Sequence, residues 1–194
     1  MQAGRLAPLC SVTLSHARRH RIRIALAPHR FAVNATGGCV HDAAKGLPQT
    51  AGLLTADEQL ELVEALEGTR YRTDEDQQTP VAIFEELANG AATLERLFPR
   101  EEKEVMPMYF VDDGALELTH ACALGNQQAI VAVPGSAKQL NFDFLSITSL
   151  GAPTEAHMHE HVFACTEKDQ VDATWVLWQN GSEAERRLFP MQRR

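Results

Sequence analysis

Three histidines, His157, His159 and His161, stand at alternate positions within residues 155–166. If this segment is a β-strand, alternate side chains project from the same face, so the three imidazoles lie together. Neighbouring imidazoles on a strand are close enough to share one Zn, Fe or Mn ion, and an adjacent strand can supply a further ligand. The spacing therefore makes these histidines the candidate metal ligands of the chain.

A wider pattern begins with a glycine ahead of the histidines. Gly151, five intervening residues, His157 and His159 resemble the first metal motif of the cupins. The resemblance covers only this fragment, because the carboxylate that the motif places soon afterwards is absent and Glu167 comes too late. It implies a metal site on a strand, in a cupin-like enzyme.

The same residues change meaning if the segment is an α-helix. His157 and His161 then lie four positions apart on one face with Glu160 beside them, which matches the H-x-x-E-H pattern of zinc peptidases. Under this alternative Glu160 is the general base of a small metal-dependent hydrolase. The strand is favoured because Val162 and Phe163 are residue types enriched in strands.

The histidines do not require a metal. Imidazoles on a half-exposed strand are satisfied by water and a neighbouring carboxylate, and such a cluster then acts only as a mildly pH-dependent surface. On that interpretation no cofactor is expected. The chain also lacks the glycine-rich dinucleotide-binding motif, the phosphate-binding P-loop, the serine nucleophile elbow and the EF-hand loop. Nucleotide-dependent enzymes and serine hydrolases therefore lose their main sequence support.

The charge of the chain divides near residue 41. Residues 1–41 contain six arginines and no acidic residue, whereas the rest holds 12 basic and 26 acidic side chains, a net charge of −14. An arginine-rich, acid-free beginning is typical of organellar transit peptides. The alternatives are a misassigned upstream start codon and a basic arm that binds nucleic acid or anionic lipid. We expect residues 1–48 to be disordered and outside the fold.

Localisation follows from that segment. If Met1 is the true start, the composition predicts a mitochondrial or other organellar protein, and otherwise a cytoplasmic one. No apolar run approaches the roughly 20 residues of a membrane-spanning helix, so no transmembrane segment is expected.

The first element after this segment is a helix. Thr55 and Glu58 have the spacing of a capping box, and an apolar stripe follows over residues 60–66. A polar connection is expected over residues 70–78.

Two further helices are predicted before residue 99. Pro80 suits the first turn of a helix over residues 79–88, and Asn89 with Gly90 suits its left-handed end. Residues 93–98 are predicted to form a third, short helix. Together the three helices would form a layer over residues 55–98.

The sheet is expected downstream of that layer. Short alternating or apolar runs separated by turn residues predict about six strands between residues 106 and 178. Their ranges are 108–111, 115–124, 129–133, 141–150, 155–166 and 174–178. Residues 182–188 are expected to form a short helix or a frayed tail.

The sequence therefore predicts an α+β fold, in which residues 49–194 form one domain with a mostly antiparallel sheet packed by two or three N-terminal helices. The function expected first is a non-enzymatic protein-interaction domain of the adaptor, assembly-factor or immunity-protein type. Its acidic surface suits a basic protein partner and not nucleic acid. The alternative is a small metal-dependent enzyme built on the histidine cluster.

Overall fold

A computed structural model describes residues 54–75, 78–152 and 154–194 of the chain. These residues form one helix, α1 (Ala56–Glu64), followed only by strands. The strands are β1 (Gly68–Arg72), β2 (Pro80–Leu87), β3 (Ala92–Leu97), β4 (Met108–Asp112), β5 (Ala115–Ala121), β6 (Gln127–Ser136), β7 (Gln139–Thr148), β8 (His157–Glu167), β9 (Gln170–Gln179) and β10 (Ser182–Arg193).

The ten strands form a closed antiparallel barrel. Each strand pairs with its neighbours in the chain, and β1 pairs with β10 to close the sheet. Closure removes the unpaired strand edges that an open sheet would expose. Because the strands alternate in direction, the connections β1–β2, β3–β4, β5–β6, β7–β8 and β9–β10 all lie at one end of the barrel.

The other end is closed by α1. Thr55 and Glu58 form the predicted capping box, in which each side chain accepts a hydrogen bond from the other residue's backbone N–H. Leu60 and Val63 of the helix are fully buried in the barrel core. Arg193, at the end of β10, donates hydrogen bonds to the backbone carbonyls of Ala65 and Glu67 behind the helix.

The barrel interior contains both apolar and polar side chains. The apolar part includes Phe84, Leu116, Leu118, Phe163 and Met191. The buried polar side chains include Thr93, Glu95, His120, Gln128 and His161. A small barrel is normally filled by side chains, and here part of that filling is polar.

The predicted α+β fold is wrong, because helices were expected where β2 and β3 lie. Residues 79–88 and 93–98 form the hairpin β2–β3. Asn89 (φ 59°) and Gly90 (φ 80°) are the turn of that hairpin and not the end of a helix. A helix C-terminus and a hairpin turn both use residues at positive φ, so an Asn-Gly sequence alone does not distinguish a helix end from a hairpin turn.

Two further segments were assigned wrongly. Residues 70–78 were expected to be a polar connection, but Arg70 lies within β1, buried, and donates to the carbonyl of Leu66 at 3.0 Å. Residues 182–188 belong to β10, which pairs with β9 along its length. Strands lie at the six predicted places, as β4 to β9, but the sheet has ten strands and not six. The helical alternative for residues 155–166 is wrong because residues 157–167 form β8.

The predictions for residues 1–48 lie outside the described residues. Within the part of the chain that the structure describes, no helix is long and apolar enough to cross a membrane.

Candidate functional site

A cavity of about 270 Å³ lies at the open end of the barrel, opposite α1. We call it the mouth cavity. Its wall is mainly apolar and is formed by Leu97, Phe98, Val105, Cys122, Ala123, Leu124, Met158, Trp175, Leu177 and Phe189, together with His120, Lys103, Glu185 and Arg187. These residues come from the ends of β3, β5 and β9, the starts of β8 and β10, and the adjoining connections.

His120 is the buried polar side chain in this wall. It is 3% exposed, and its ring lies 4.9 Å from the ring of Trp175. Burial lowers the pKa of His120 to about 4, so the imidazole is neutral at physiological pH. Its Nδ1 is sealed from solvent and has no hydrogen-bond partner among the described residues.

The two cations in the wall are each paired with a carboxylate. Nζ of Lys103 lies 3.3 Å from Glu101, and Nε of Arg187 lies 2.7 Å from Glu185. Lys103 also lies over the ring of Phe98, 4.4 Å from its centre. These exposed pairs contribute little to stability, but they neutralise the charge at the rim.

A second cavity of about 550 Å³ adjoins the first at the same end of the barrel. Phe98, Lys103, Arg187 and Phe189 line both cavities. The second cavity is more polar, since Arg72 also lines it. The guanidinium of Arg72 donates to the Asp74 carboxylate at 2.6 and 2.8 Å, so this cation is paired as well.

Below the mouth cavity a chain of hydrogen-bonding groups crosses the barrel interior. The hydroxyl of Tyr109 donates to Oε2 of Glu95 at 2.7 Å, and its oxygen lies 3.4 Å from Nε2 of His161. Nδ1 of His161 lies 3.0 Å from the carbonyl oxygen of Thr174. A carbonyl can only accept, so Nδ1 carries the proton and Nε2 presents a lone pair to Tyr109.

Burial shifts the pKa values of two groups in this series of hydrogen bonds, Glu95 and His161. Burial raises the pKa of Glu95 to about 7, and the hydrogen bond from Tyr109 offsets only part of that rise. Burial likewise lowers the pKa of His161 to about 3. Among the described residues Glu95 has no cationic partner, and its Oε1 accepts no hydrogen bond. A buried carboxyl without a counter-ion is unusual and marks this layer as a functional candidate.

More polar atoms of the interior are unpaired. The buried atoms without a partner among the described residues include Oγ1 of Thr93, both amide atoms of Gln128 and Nε1 of Trp175. Each unpaired buried group costs about 1–3 kcal/mol. Each of these atoms therefore gains free energy when a hydrogen-bond partner reaches it.

The structure places the three predicted metal ligands in two different surroundings. His161 is completely buried in the interior, with its ring stacked on Trp175 at 4.0 Å. His159 lies between the rings of Phe144, at 4.9 Å, and Trp178, at 3.9 Å. A β-bulge between Met158 and Glu160 interrupts the alternation of β8, which is why the histidines do not all follow one face.

His157 and His159 form a pair. Nδ1 of His157 lies 3.0 Å from the carbonyl oxygen of Glu155, so this nitrogen carries the proton. Its Nε2 then accepts a hydrogen bond of 3.1 Å from Nδ1 of His159. Both ring nitrogens of His157 therefore take part in hydrogen bonds. Of the two histidines, only His159 keeps a nitrogen lone pair, on Nε2, that is not used in these bonds. Burial and the neighbouring His157 lower the pKa of His159.

No group of three His, Cys, Asp or Glu side chains within the described ranges is arranged to hold a metal ion. Glu160, the base of the helical alternative, lies on a strand and pairs with Arg186 at 3.5 Å. The metal site at His157, His159 and His161 stays a prediction.

Sequence reasoning did not single out Glu95, Tyr109 or the position of His120. Glu95 was assigned to a helix, where it would have been exposed. The signal that could have found it is alternation, since Thr93, Glu95 and Leu97 share one face if residues 93–97 form a strand.

The chain matches no protein-family model, and a search of curated proteins finds no match. The geometry of the open end therefore provides the evidence for function.

Proposed function

We propose that this barrel binds a small, mainly apolar molecule in its mouth cavity. The observation that carries the proposal is the cavity itself, because an apolar hollow at the mouth of a β-barrel is a common place for a ligand. Its wall offers Leu97, Leu177 and Phe189 as contact surface and His120 as a buried polar contact.

The size of the cavity limits the ligand. Small-molecule sites usually measure about 300–1,000 Å³, and the mouth cavity of about 270 Å³ lies just below this range. An apolar protein cavity of about 150 Å³ already holds benzene. The ligand is therefore a substituted single ring or a molecule of similar volume, and a larger ligand would extend into the adjoining cavity.

Binding is favoured over catalysis by the position of the ionisable groups. Glu95 and His161 have strongly shifted pKa values, but neither side chain is exposed to solvent or lines the cavity. His120 is the titratable group of the interior that does line it. A ligand in the mouth cavity thus meets one buried neutral imidazole and the thiol of Cys122, while the charged side chains of the wall, Lys103, Glu185 and Arg187, are held in ion pairs.

The test is calorimetric titration of the full chain with toluene, a neutral ring of suitable size. Ala123 lines the cavity, whereas Ala121, two residues earlier, is also exposed but does not line it. Ala123→Trp should weaken toluene binding at least tenfold by filling the cavity, and Ala121→Trp should leave it unchanged. Equal binding by both variants, or no binding by the wild type, would contradict the proposal.

A second candidate function is the protein-interaction domain expected from the sequence. It is supported by large apolar side chains on the surface near the open end, namely Met106 (48% exposed), Leu124 (52%) and Leu188 (50%). Its test is photocrosslinking in cells from a reactive residue at Met106, with Asp113 at the closed end as control. A protein partner would be crosslinked from position 106 but not from position 113, and Leu124→Ser would abolish the crosslink. This result would favour a protein-interaction domain over a ligand carrier.

A further inference from the structure

The mouth cavity offers one buried contact that can select among ligands. His120 is almost entirely buried, lies on β5 and contributes to the cavity wall. The other side chains deep in the wall, such as Leu97, Leu177 and Trp175, offer mainly carbon surface. Nε1 of Trp175 is sealed from the cavity, and the thiol of Cys122 is only a weak donor. A strong hydrogen bond from a ligand to the wall at this depth therefore goes to the imidazole.

The tautomer of His120 decides which kind of group it can bind. A neutral imidazole carries one N–H and one lone pair. Nδ1 is sealed and unpartnered, and a buried N–H without an acceptor is rarer in proteins than a buried lone pair without a donor. We therefore assign the proton to Nε2. In this state His120 is a donor that requires an oxygen or nitrogen acceptor.

The charge of the cavity limits the ligand further. Both cations of the wall are paired, Lys103 with Glu101 and Arg187 with Glu185. A carboxylate placed against His120 would lose its hydration and meet no free positive charge, which is costly. A ligand without any polar group would leave the N–H of His120 unpaired, which weakens its binding.

We propose that His120 is the specificity-determining contact of the mouth cavity, and that the cavity selects an uncharged molecule with one carbonyl-type oxygen, of the aromatic ketone or aldehyde class. Nε2–H of His120 donates a hydrogen bond to that oxygen, and the apolar wall contacts the ring. This inference rests on the proposed binding function and names the ligand class for the same site.

The experiment compares three molecules of nearly equal shape that differ only in the group presented to His120. Acetophenone carries an uncharged carbonyl, cumene replaces that oxygen with carbon, and benzoate carries a negative charge. Calorimetric titration of the full chain at pH 7 should give an affinity for acetophenone about tenfold higher than for cumene, the effect of one hydrogen bond. Benzoate should bind at least tenfold more weakly than acetophenone.

Two substitutions at His120 test whether the imidazole is the cause. His120→Phe keeps a ring but has no donor, so acetophenone should fall to the affinity of cumene while cumene itself is unchanged. His120→Gln retains an N–H donor and should restore most of the preference. Nitrogen NMR of the wild type gives an independent readout, because Nε2 should be protonated before and after acetophenone binds.

The outcomes separate this inference from the proposed function. Cumene that binds as tightly as acetophenone, or benzoate that binds most tightly, overturns the ligand class but leaves an apolar binding site. A proton on Nδ1 of His120 also overturns the inference, even if neither variant folds. Failure of all three molecules to bind the wild type overturns the binding function as well.

Discussion

The hydroxyl of Tyr109 donates a 2.7 Å hydrogen bond to Glu95, and the same oxygen lies 3.4 Å from Nε2 of His161. Tyr109 has one proton and two acceptors beside it. When Glu95 is ionised, the proton points to the carboxylate and the lone pair of His161 is left unsatisfied. When Glu95 is protonated, Glu95 can donate to Tyr109 and Tyr109 to His161. The protonation state of Glu95 therefore sets the direction of the hydrogen bonds that join Glu95, Tyr109 and His161.

The first prediction concerns Glu95→Gln. The folded protein holds the pKa of Glu95 at about 7, above the ordinary value of 4.5, so folding favours the protonated form. The free energy of unfolding is then lowered as the pH rises from 4.5, and the full loss is present above about pH 7. Urea unfolding at pH 5 and pH 8 measures this effect. Between these pH values the free energy of unfolding of the wild type should fall by about 2 kcal/mol relative to that of Glu95→Gln.

The control for that measurement is Glu85→Gln, an exposed carboxyl on the neighbouring strand β2. It should follow the wild type at both pH values. Parallel pH profiles for the wild type and Glu95→Gln would show that Glu95 ionises as it does in the unfolded chain.

The second prediction concerns His161→Phe and has the opposite sign. The folded pKa of His161 is about 3, below the ordinary value of 6.5, so its contribution is fully present above pH 6.5 and is lost as the pH falls. Between pH 7 and pH 4.5 the free energy of unfolding of the wild type should fall by about 3 kcal/mol more than that of His161→Phe. Urea unfolding at pH 7 and pH 4.5 measures this difference.

His120 also lowers the free energy of unfolding as the pH falls, because its pKa is lowered to about 4. The double variant with both histidines replaced by phenylalanine should therefore show the weakest dependence on acid. NMR titration of the imidazoles checks the cause directly. An imidazole of His161 that becomes protonated near pH 6 in the folded protein would contradict the burial argument.

The third prediction concerns the metal alternative. His157 uses both ring nitrogens in hydrogen bonds, and His161 lies in different surroundings from His159. Two imidazoles fall short of the three or four protein ligands usual for zinc. Added Zn²⁺ should therefore bind weakly, lose its site in His159→Ala and bind unchanged to His161→Phe.

Competition with a chelating dye measures these affinities. Stoichiometric, tight Zn²⁺ that disappears in His161→Phe would establish the three-histidine site that the sequence spacing predicts. It would also require β8 to rearrange around the metal.

The parts of the fold that were predictable depend on local rules. The capping box of α1 is complete within four residues, Thr55 to Glu58, and it was predicted correctly. The strands from β4 to β9 were recognisable from alternating apolar residues and short turns. The sheet could not be recognised as a barrel, because closure depends on β1 and β10, which carry mostly polar residues and lie at opposite ends of the described chain.

The candidate site was less predictable for two physical reasons. Glu95 is a charged residue type in the core, which contradicts the rule that charges face solvent. The bulge in β8 shifts the register after Met158, and nothing in the sequence of histidines marks it. Spacing alone therefore brought together His159 and His161, which the folded chain separates.

The binding function is tested most directly by locating a bound molecule through methyl NMR of the full chain. Leu97 and Leu177 line the mouth cavity, whereas Leu116 and Leu118 are buried in the barrel away from its wall. Saturation with acetophenone should shift the methyl signals of the first pair strongly and those of the second pair little. Equal shifts of both pairs, or no shift of Leu97 and Leu177, would contradict a ligand site at the mouth of the barrel.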